Sequence, residues 1–388
     1  TSFIILKTTI VYGSYKEGTS KVHGSPLGKD DIDQFKEISG LDVNKDFHID
    51  ELVSKFYESC KRNGRETESK WLEKFVTYKK LYPDKANDLL RRLDNKLPNN
   101  WEEQLPKYTS DDPPIATRKC SQKVLTNIYK TIPELLGGSA DLTPSNLTFI
   151  DSKMSYSNYK GRYIHYGIRE HAMAAIANGL STTNMIIPYV GTFFNFLQYC
   201  LPAVRLSALS NHKVIYIMTH DSVWLGEDGP THQPVENLAI CRAMPNLLTF
   251  RPADGNEVSG VYKYILNEVT GPSVICLSRQ SIKHLPTSNC NQISMGAYII
   301  KEYVDKLELI IIATGSEVSL CYEAINKYEN IRLISMPCME LFNIQTDEYQ
   351  KLLIPDNIPV LSVEAGTSFG WHKYSHHQIS IDLSLIHI

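Results

Sequence analysis

No C-x-x-C pair occurs among the eight cysteines, which lie scattered at positions 60, 120, 200, 241, 276, 290, 321 and 338. That scatter argues against a disulfide scaffold or a cysteine-based zinc site, and for reduced thiols, many of them in cores, in a reducing compartment. An excess of positive charge is also missing. Forty Lys and Arg stand against 43 Asp and Glu, a formal net charge of -3, so nucleic acid held by charge is not an expected partner. No apolar run approaches the ~18 residues that a membrane-spanning helix needs. There is no basic segment ahead of the first apolar run, so Thr1-Ser-Phe-Ile-Ile-Leu-Lys7 does not read as a secretory signal. Residues 2–6 read instead as a buried strand caught inside a domain, as if the chain starts late. Internal repeats and low-complexity tracts are absent. What is present is a globular composition, 42% hydrophobic and 21% charged over 388 residues, which allows two or three domains.

The first hundred residues differ from the rest. Residues 7–30 have a loop composition, a helix is expected from Asp30 or Asp31, and another over 49–61. Trp71, Phe75, Tyr78 and Tyr82 recur at three- and four-residue spacing, one face of a long helix that Pro83 ends or kinks. Residues 84–97 read as its successor, and the proline-bearing stretch from Asn99 to Pro114 as a linker. Beyond it, apolar strands are expected at 163–167, 185–190, 213–219, 247–251 and 273–278, with helices at 170–181, 194–210, 235–244 and 257–268 between them. Strands that are apolar throughout, alternating with helices, predict an α/β fold: a parallel sheet with helices on both faces. A second α/β unit follows from about residue 291, with strands at 309–313, 331–335 and 359–363. In such sheets ligands bind at the carboxyl ends of the strands, and there the unusual residues fall.

Glu170, in Gly167-Ile-Arg-Glu-His-Ala-Met173, opens a helix after a strand. It either complements the helix dipole or presents a semi-buried carboxylate, of raised pKa, able to hold or pass a proton. Phe193, Phe196 and Tyr199 recur every three residues; core packing and stacking against a flat heterocycle are both open readings, and their place after a strand favours the second. His220, in Thr219-His-Asp-Ser222, and Asp228 and His232, in Gly226-Glu-Asp-Gly-Pro-Thr-His-Gln-Pro234, form two polar clusters, the second running into a helix at Pro234. These two histidines do not have H-x3-H spacing, so no metal site is read from them. Arg118, Ser145 and Arg279 are positions that could hold a phosphate, arginine because its fork of donors matches the oxygens; for each alone, a surface ion pair is the commoner role. Asn146-Leu-Thr148 has the form of a glycosylation sequon, discounted without a secretory signal. Gly315-Ser-Glu317 could bind an anion or be a short structural turn.

Taken in order, these segments resemble transketolase. The resemblance is carried by Lys21-Val-His-Gly-Ser-Pro-Leu27, Gly137-Gly-Ser-Ala-Asp-Leu-Thr-Pro-Ser-Asn146, the 167–173 segment, Arg205-Leu-Ser-Ala-Leu-Ser210, the 226–234 segment, Arg251-Pro-Ala-Asp-Gly-Asn-Glu-Val258 and Ala313-Thr-Gly-Ser-Glu-Val-Ser-Leu320. It implies the thiamine diphosphate-binding fold and transfer of a two-carbon ketol unit from a ketose phosphate to an aldose phosphate, a step of the pentose phosphate pathway. By the resemblance, Glu170 bonds to the cofactor's aminopyrimidine and promotes the imino form that takes the proton from the thiazolium carbon. Phe193, Phe196 and Tyr199 match the pocket around the pyrimidine ring, and Asp141 joins the cofactor contacts. His23 matches a histidine beside the diphosphate and the reacting carbonyl, with a proton-transfer and oxyanion role. His232 and Asp228 match contacts to substrate hydroxyls; Arg118, Ser145, His220 and Arg279 match the grip on the terminal phosphate.

The departures from the family pattern matter as well. The family's Gly-Asp-Gly…Asn segment, which holds Mg2+ and the diphosphate, has no counterpart here, so the magnesium ligands are expected in a missing N-terminal region. The likeness stops at Asp382, and Leu383-Ser-Leu-Ile-His-Ile388 looks like translated adapter sequence. The expected domains are therefore 1–98, the end of a diphosphate-binding domain with linker helices; 99–289, a pyrimidine-binding domain; and 290–388, a truncated C-terminal α/β domain. The full protein is expected to be a cytoplasmic homodimer with its active site between subunits, and this chain alone to be inactive. Two rival readings are the pyrimidine-binding half of a split transketolase and a non-catalytic binding module of the same fold.

Overall fold

The computed structural model describes residues 3–150, 153–155, 157–183 and 185–383. It divides into two compact units, one reaching to Ala86 and the other running from Asn87.

The first unit is helical. Helix α1 (Lys29–Ile38) is followed by α2 (Glu51–Leu81), whose first turn is capped by Asp50, its carboxylate accepting the Leu52 amide at 2.7 Å. The two expected helical stretches are one continuous helix. Only Gly64 interrupts an otherwise helix-favouring link rich in Arg, Glu and Lys, and one glycine costs only ~1 kcal/mol. The aromatic stripe runs along it, Trp71 stacked on Phe75 at 5.3 Å and Tyr78 against Tyr82 at 5.1 Å. The strand expected at 2–6 does not form: Phe3, Ile4, Ile5 and Leu6 are 91, 78, 81 and 80% exposed, and no described strand pairs with them. A single strand without a ladder leaves its backbone groups to water and has nothing to hold it extended. Ser2 lies outside the described residues.

Helix α3 (Pro83–Leu93) crosses the boundary, with proline in its first turn, where a missing N–H costs nothing. In the second unit, the stretch from 98 to 116 has one helical turn, yet it is not a loose linker: Trp101 is 3% exposed, packed against the core with Leu105 and Tyr108. Then come α4 (Thr117–Ile128), β1 (Leu135–Ser139), α5 (Thr143–Asn146), β2 (Tyr163–His165), α6 (Glu170–Ser181), β3 (Ile187–Phe193), α7 (Leu197–Ser210) and β4 (Ile215–Thr219). They are followed by α8 (Asn237–Arg242), β5 (Leu248–Phe250), α9 (Gly255–Glu268) and β6 (Ser273–Leu277). The strands form one parallel sheet in the order β2-β1-β3-β4-β6-β5. Both faces are covered. Along β4, Ile215 and Ile217 point into one core, with Tyr189 and Ile275, while Tyr216 and Met218 point into the other, with Val190 and Val274. Each such side chain contributes ~1.5–3 kcal/mol on burial.

Strand β1 has no counterpart among the expected strands, because Leu-Leu-Gly-Gly-Ser reads as a turn. Its glycines are required by close packing. A Cβ at Gly137 would sit 1.9 Å from the Tyr189 ring, and one at Gly138 would sit 2.2 Å from Tyr166.

The second sheet comprises β7 (Tyr298–Lys301), β8 (Leu309–Ala313), β9 (Ile331–Ser335), β10 (Val360–Val363) and β11 (His377–Ile379), ordered β11-β10-β8-β9-β7. All pairs are parallel except β7 with β9. Helices α10 (Ser316–Ala324), α11 (Met339–Asn343) and α12 (Asp347–Leu353) accompany it.

A buried polar network joins the two sheets. Arg251, fully buried after β5, donates from Nε to Asp221 at 2.9 Å and from a terminal nitrogen to Glu317 and to Thr314 Oγ1, the latter at 2.9 Å. Arg242 forks onto Glu364 with two 2.7 Å bonds, and Trp371 Nε1 adds a third at 2.8 Å. Burial works against the Glu364 charge, but Arg242 outweighs it and pulls the carboxyl down to about 2. Two of the sequence segments quoted above are therefore joints. Gly315 does not bind an anion: at φ +54, its hydrogen faces the Arg251 guanidinium, where a Cβ would lie 2.8 Å from Cζ.

Candidate functional site

The carboxyl ends of β1, β3, β4 and β6 face one way and bring most of the expected residues of the second unit together. Phe193 ends β3. The chain then makes a tight turn over Phe194–Phe196 before α7 begins. The three aromatics thus span a strand end, a 3-10 turn and a helix rather than one helical face. In a 3-10 turn residues three apart eclipse, so the rings still align: Phe193 and Phe196 stack at 5.9 Å and 12°, and Tyr199 follows at 5.9 Å. His232 closes the wall edge-on, 5.1 Å from Phe196 and 6.2 Å from Phe193. It lies in the turn Pro230–His232, not at a helix start, since α8 begins only at Asn237. The loop is pinned there because Asn195 donates to the Thr231 carbonyl at 2.8 Å and Asn237 to that of Phe194 at 2.6 Å.

His220 follows β4 and is buried under Phe193, ring centroids 3.8 Å apart. Its backbone is left-handed, φ +59, a conformation that a non-glycine residue adopts only when its surroundings impose it. A chain of hydrogen bonds sets its tautomer. The Asn146 amide donates to Ser139 at 2.9 Å, Thr219 Oγ1 donates to Asn146 Oδ1 at 2.7 Å, and His220 Nδ1 lies 2.9 Å from that same Thr219 oxygen. The Thr219 hydroxyl has spent its proton on Asn146, so Nδ1 carries the hydrogen and Nε2 keeps a lone pair. Burial, then Arg118, Arg279 and His232, push the imidazole down to about 3. It is neutral at physiological pH. Composition and spacing did not flag Ser139 or Thr219; that both hydroxyls end buried strands was the available signal. Asn146, 1% exposed and bonded at both ends of its amide, is no glycan acceptor.

Arg118 lies in the first turn of α4 and donates to the Ser145 carbonyl at 2.6 Å, while its Nε has no partner among the described residues. Burial, then the Arg279 charge, lower its pKa, and Asp228 counters them. Two guanidinium groups thus face one region beside a neutral histidine. Arg279 follows β6, pairs with exposed Glu227 at 3.0 Å, and passes close against Gly226. Asp141 is exposed in a left-handed conformation, φ +59, between β1 and α5.

Glu170 is the first residue of α6, half-buried, with no hydrogen-bond partner for its carboxylate among the described residues. Burial, then Glu170, push the neighbouring Cys200 thiol up to about 12, which sets the carboxylate near the turn of α7 that carries Tyr199. His23 belongs to the first unit, where it is exposed at the end of the turn Ser20–Val22. All eight cysteines are free, six of them buried. Among the described residues no three His, Cys, Asp or Glu side chains cluster to hold a metal, and no helix is long and apolar enough to cross a membrane.

Comparison with known proteins finds three domain families along the chain. Residues 1–98 match the transketolase thiamine diphosphate binding domain, 113–284 the transketolase pyrimidine binding domain, and 296–383 the transketolase-like C-terminal domain. Transketolase 1 of Saccharomyces cerevisiae is 46% identical over 394 residues, covering 98% of this chain and 58% of the yeast protein. A chloroplastic transketolase of Craterostigma plantagineum is 41% identical, covering 96% of this chain and 74% of its own. The crystal structure of Pichia stipitis transketolase with sedoheptulose-7-phosphate superposes with a TM-score of 0.93 at 44% identity, over 98% of this chain and 58% of that one. Against most of these relatives the chain spans somewhat more than half their length.

Proposed function

This chain belongs to the transketolase family, and from that premise we propose that the protein it represents transfers a two-carbon ketol group between sugar phosphates in the pentose phosphate pathway, as a cytoplasmic homodimer. The observation that carries the proposal is the wall of Phe193, Phe196 and His232 set against neutral His220, with Arg118 and Arg279 alongside. The Phe193 and Phe196 rings lie nearly parallel, which fits one face of a flat heterocycle, and Glu170 beside them has an unused carboxylate. Thiamine diphosphate, when bound, supplies a stabilised carbon nucleophile.

The chain's own residues would then act as follows. Glu170 would accept a ring N–H of the cofactor and hold that proton. Phe193, Phe196 and Tyr199 keep water from the ring face. The guanidinium groups of Arg118 and Arg279 hold the sugar's terminal phosphate, with Ser145 beside them. His220, held neutral first by burial and then by these cations, offers its Nε2 lone pair to a protonated phosphate oxygen. Asp228 and His232 meet substrate hydroxyls. His23 contributes its contacts near the diphosphate, and Asp141 its contact to the cofactor. Among the described residues no cluster fits Mg2+, and none of this chain's residues is assigned to it.

The test is expression of the 388-residue chain beside the full genomic reading frame, assayed with a ketose phosphate, an aldose phosphate, thiamine diphosphate and Mg2+. Transfer by the full frame, lost at least ~10^2-fold in its Glu170→Gln form, and none by the 388-residue chain, is the expected result. An inactive full frame that binds thiamine diphosphate would overturn the proposal.

A further inference from the structure

The joint between the two sheets is built at strand ends. His220 and Asp221 follow β4, Arg251 follows β5, Thr314 follows β8, and Glu317 lies in the first turn of α10. Arg251 is fixed from the second-sheet side by main chain and side chain together. Its amide donates to the Pro337 carbonyl at 2.8 Å, its carbonyl accepts the Gly315 amide at 3.0 Å, and a terminal nitrogen donates to the Thr314 carbonyl at 3.1 Å. Its Nε points the other way, to Asp221 at 2.9 Å.

Asp221 is not needed to balance the charge of this joint. In the hydrogen-bonded network the guanidinium groups of Arg242 and Arg251 face the carboxyl groups of Asp221, Glu317 and Glu364, so cations and anions still pair one to one when Asp221 is left out. Burial works against its charge, Arg251 favours it and Glu317 opposes it, and the carboxyl is raised on balance. A carboxyl buried against such opposition, in a joint that is neutral without it, points to a task other than stability.

Its neighbour in the chain shows which. His220 is left-handed, φ +59, with its ring over Phe193, centroids 3.8 Å apart. A non-glycine residue keeps that conformation where the chain is tied around it. On one side Thr219 is tied to Asn146 at 2.7 Å. On the other, the Asp221 side chain is tied to Arg251, and its second oxygen has no partner among the described residues. The Asp221 amide also meets the Leu277 carbonyl, at 3.2 Å, a longer bond than the one to Arg251. We infer that Asp221, held by Arg251, is a positioning residue for His220: it fixes the left-handed backbone that lays the imidazole on Phe193, and so makes the site depend on the second sheet. What His220 does for a substrate rests on the ketol-transfer reading; where His220 sits does not.

The experiment is histidine NMR on the 15N- and 13C-labelled 388-residue chain, with the His220 signals assigned by their loss in His220→Gln. The parent should show one neutral tautomer, with its hydrogen on Nδ1, and the upfield ring-current shift of a ring lying over Phe193. Asp221→Ala strands no charge and should lose both signatures. Asp221→Asn keeps an oxygen for Arg251 Nε and should retain both. Arg251→Lys keeps the charge but cannot reach Asp221, Thr314 and Glu317 together, and should behave as Asp221→Ala. Trp371→Phe removes the 2.8 Å bond to Glu364 elsewhere in the network; it should lower the melting temperature and leave His220 unchanged. Parent-like His220 signals in Asp221→Ala or Arg251→Lys overturn the role of Asp221. So do signals lost alike in Asp221→Ala and Asp221→Asn, signals displaced in Trp371→Phe, or a parent without the ring-current shift. None of these outcomes bears on whether the full reading frame transfers ketol groups.

Discussion

Glu257 offers a direct measurement of what burying a carboxyl costs this protein. It lies in the first turn of α9, wholly inaccessible, and accepts the Ala253 amide at 2.7 Å, the Tyr298 hydroxyl at 2.8 Å and the Ser335 hydroxyl at 2.6 Å. Asp254, capping the same helix, is the charged neighbour. Burial, then the Asp254 charge, push Glu257 up from 4.5 to about 7, against the pull of the three donors. The folded state therefore holds a proton that the unfolded state releases near pH 4.5. Between those values the unfolded chain binds fewer protons, so stability falls as pH rises, by up to about 1.4 kcal/mol per pH unit, and about 3 kcal/mol is lost by pH 8. In a Glu257→Gln variant this loss disappears. The Gln oxygen can accept the Ala253 amide, and its NH2 can donate to the two hydroxyls once they rotate. We predict that the variant gains on the parent by about 2–3 kcal/mol between pH 5 and 8, read as the difference between urea unfolding curves at each pH. Using the difference cancels every other titrating group. A constant offset across that range would refute the reasoning, because it would mean that Glu257 is ionised throughout in the folded state.

Other measurements address the joint and the site. Arg251→Met strands Asp221 and Glu317 without their cation and should cost about 3–5 kcal/mol, a melting-temperature drop of ~4–6 °C; a drop under ~2 °C would show that the network is not load-sharing. Adding Asp221→Asn and Glu317→Gln to that variant should recover part of the loss, since no buried charge is then unpaired. His220 should show no imidazole titration by NMR between pH 5 and 8. Because the unfolded chain protonates this histidine below about 6.5 and the folded chain does not, it lowers stability as pH falls through that value.

The legible part of this protein was the part written in local pattern. Apolar runs such as 213–219 and 273–278 announced buried parallel strands, since a strand covered on both faces needs no polar alternation. The helix at 170–181 was readable to the residue, and the ordered segments carried the family resemblance. Residues that follow strand ends could be picked out because a parallel sheet exposes its ligand face there.

Tertiary structure decided what depends on a partner distant in sequence. Phe3–Leu6 has the composition of a strand but no ladder to join among the described residues, and β1 has the composition of a turn but is held in the sheet between β2 and β3 because its glycines admit Tyr189 and Tyr166. Gly315 could be read as an anion turn or a structural one until Arg251, 64 residues earlier, was found against it. His220 was a candidate site residue from sequence. Its neutrality and tautomer were not legible there, because they arise from Asn146, Arg118 and Arg279, brought beside it by three other elements. Residue type and spacing determine which groups can do chemistry; the charge state in which they do it is set by neighbours that only folding supplies.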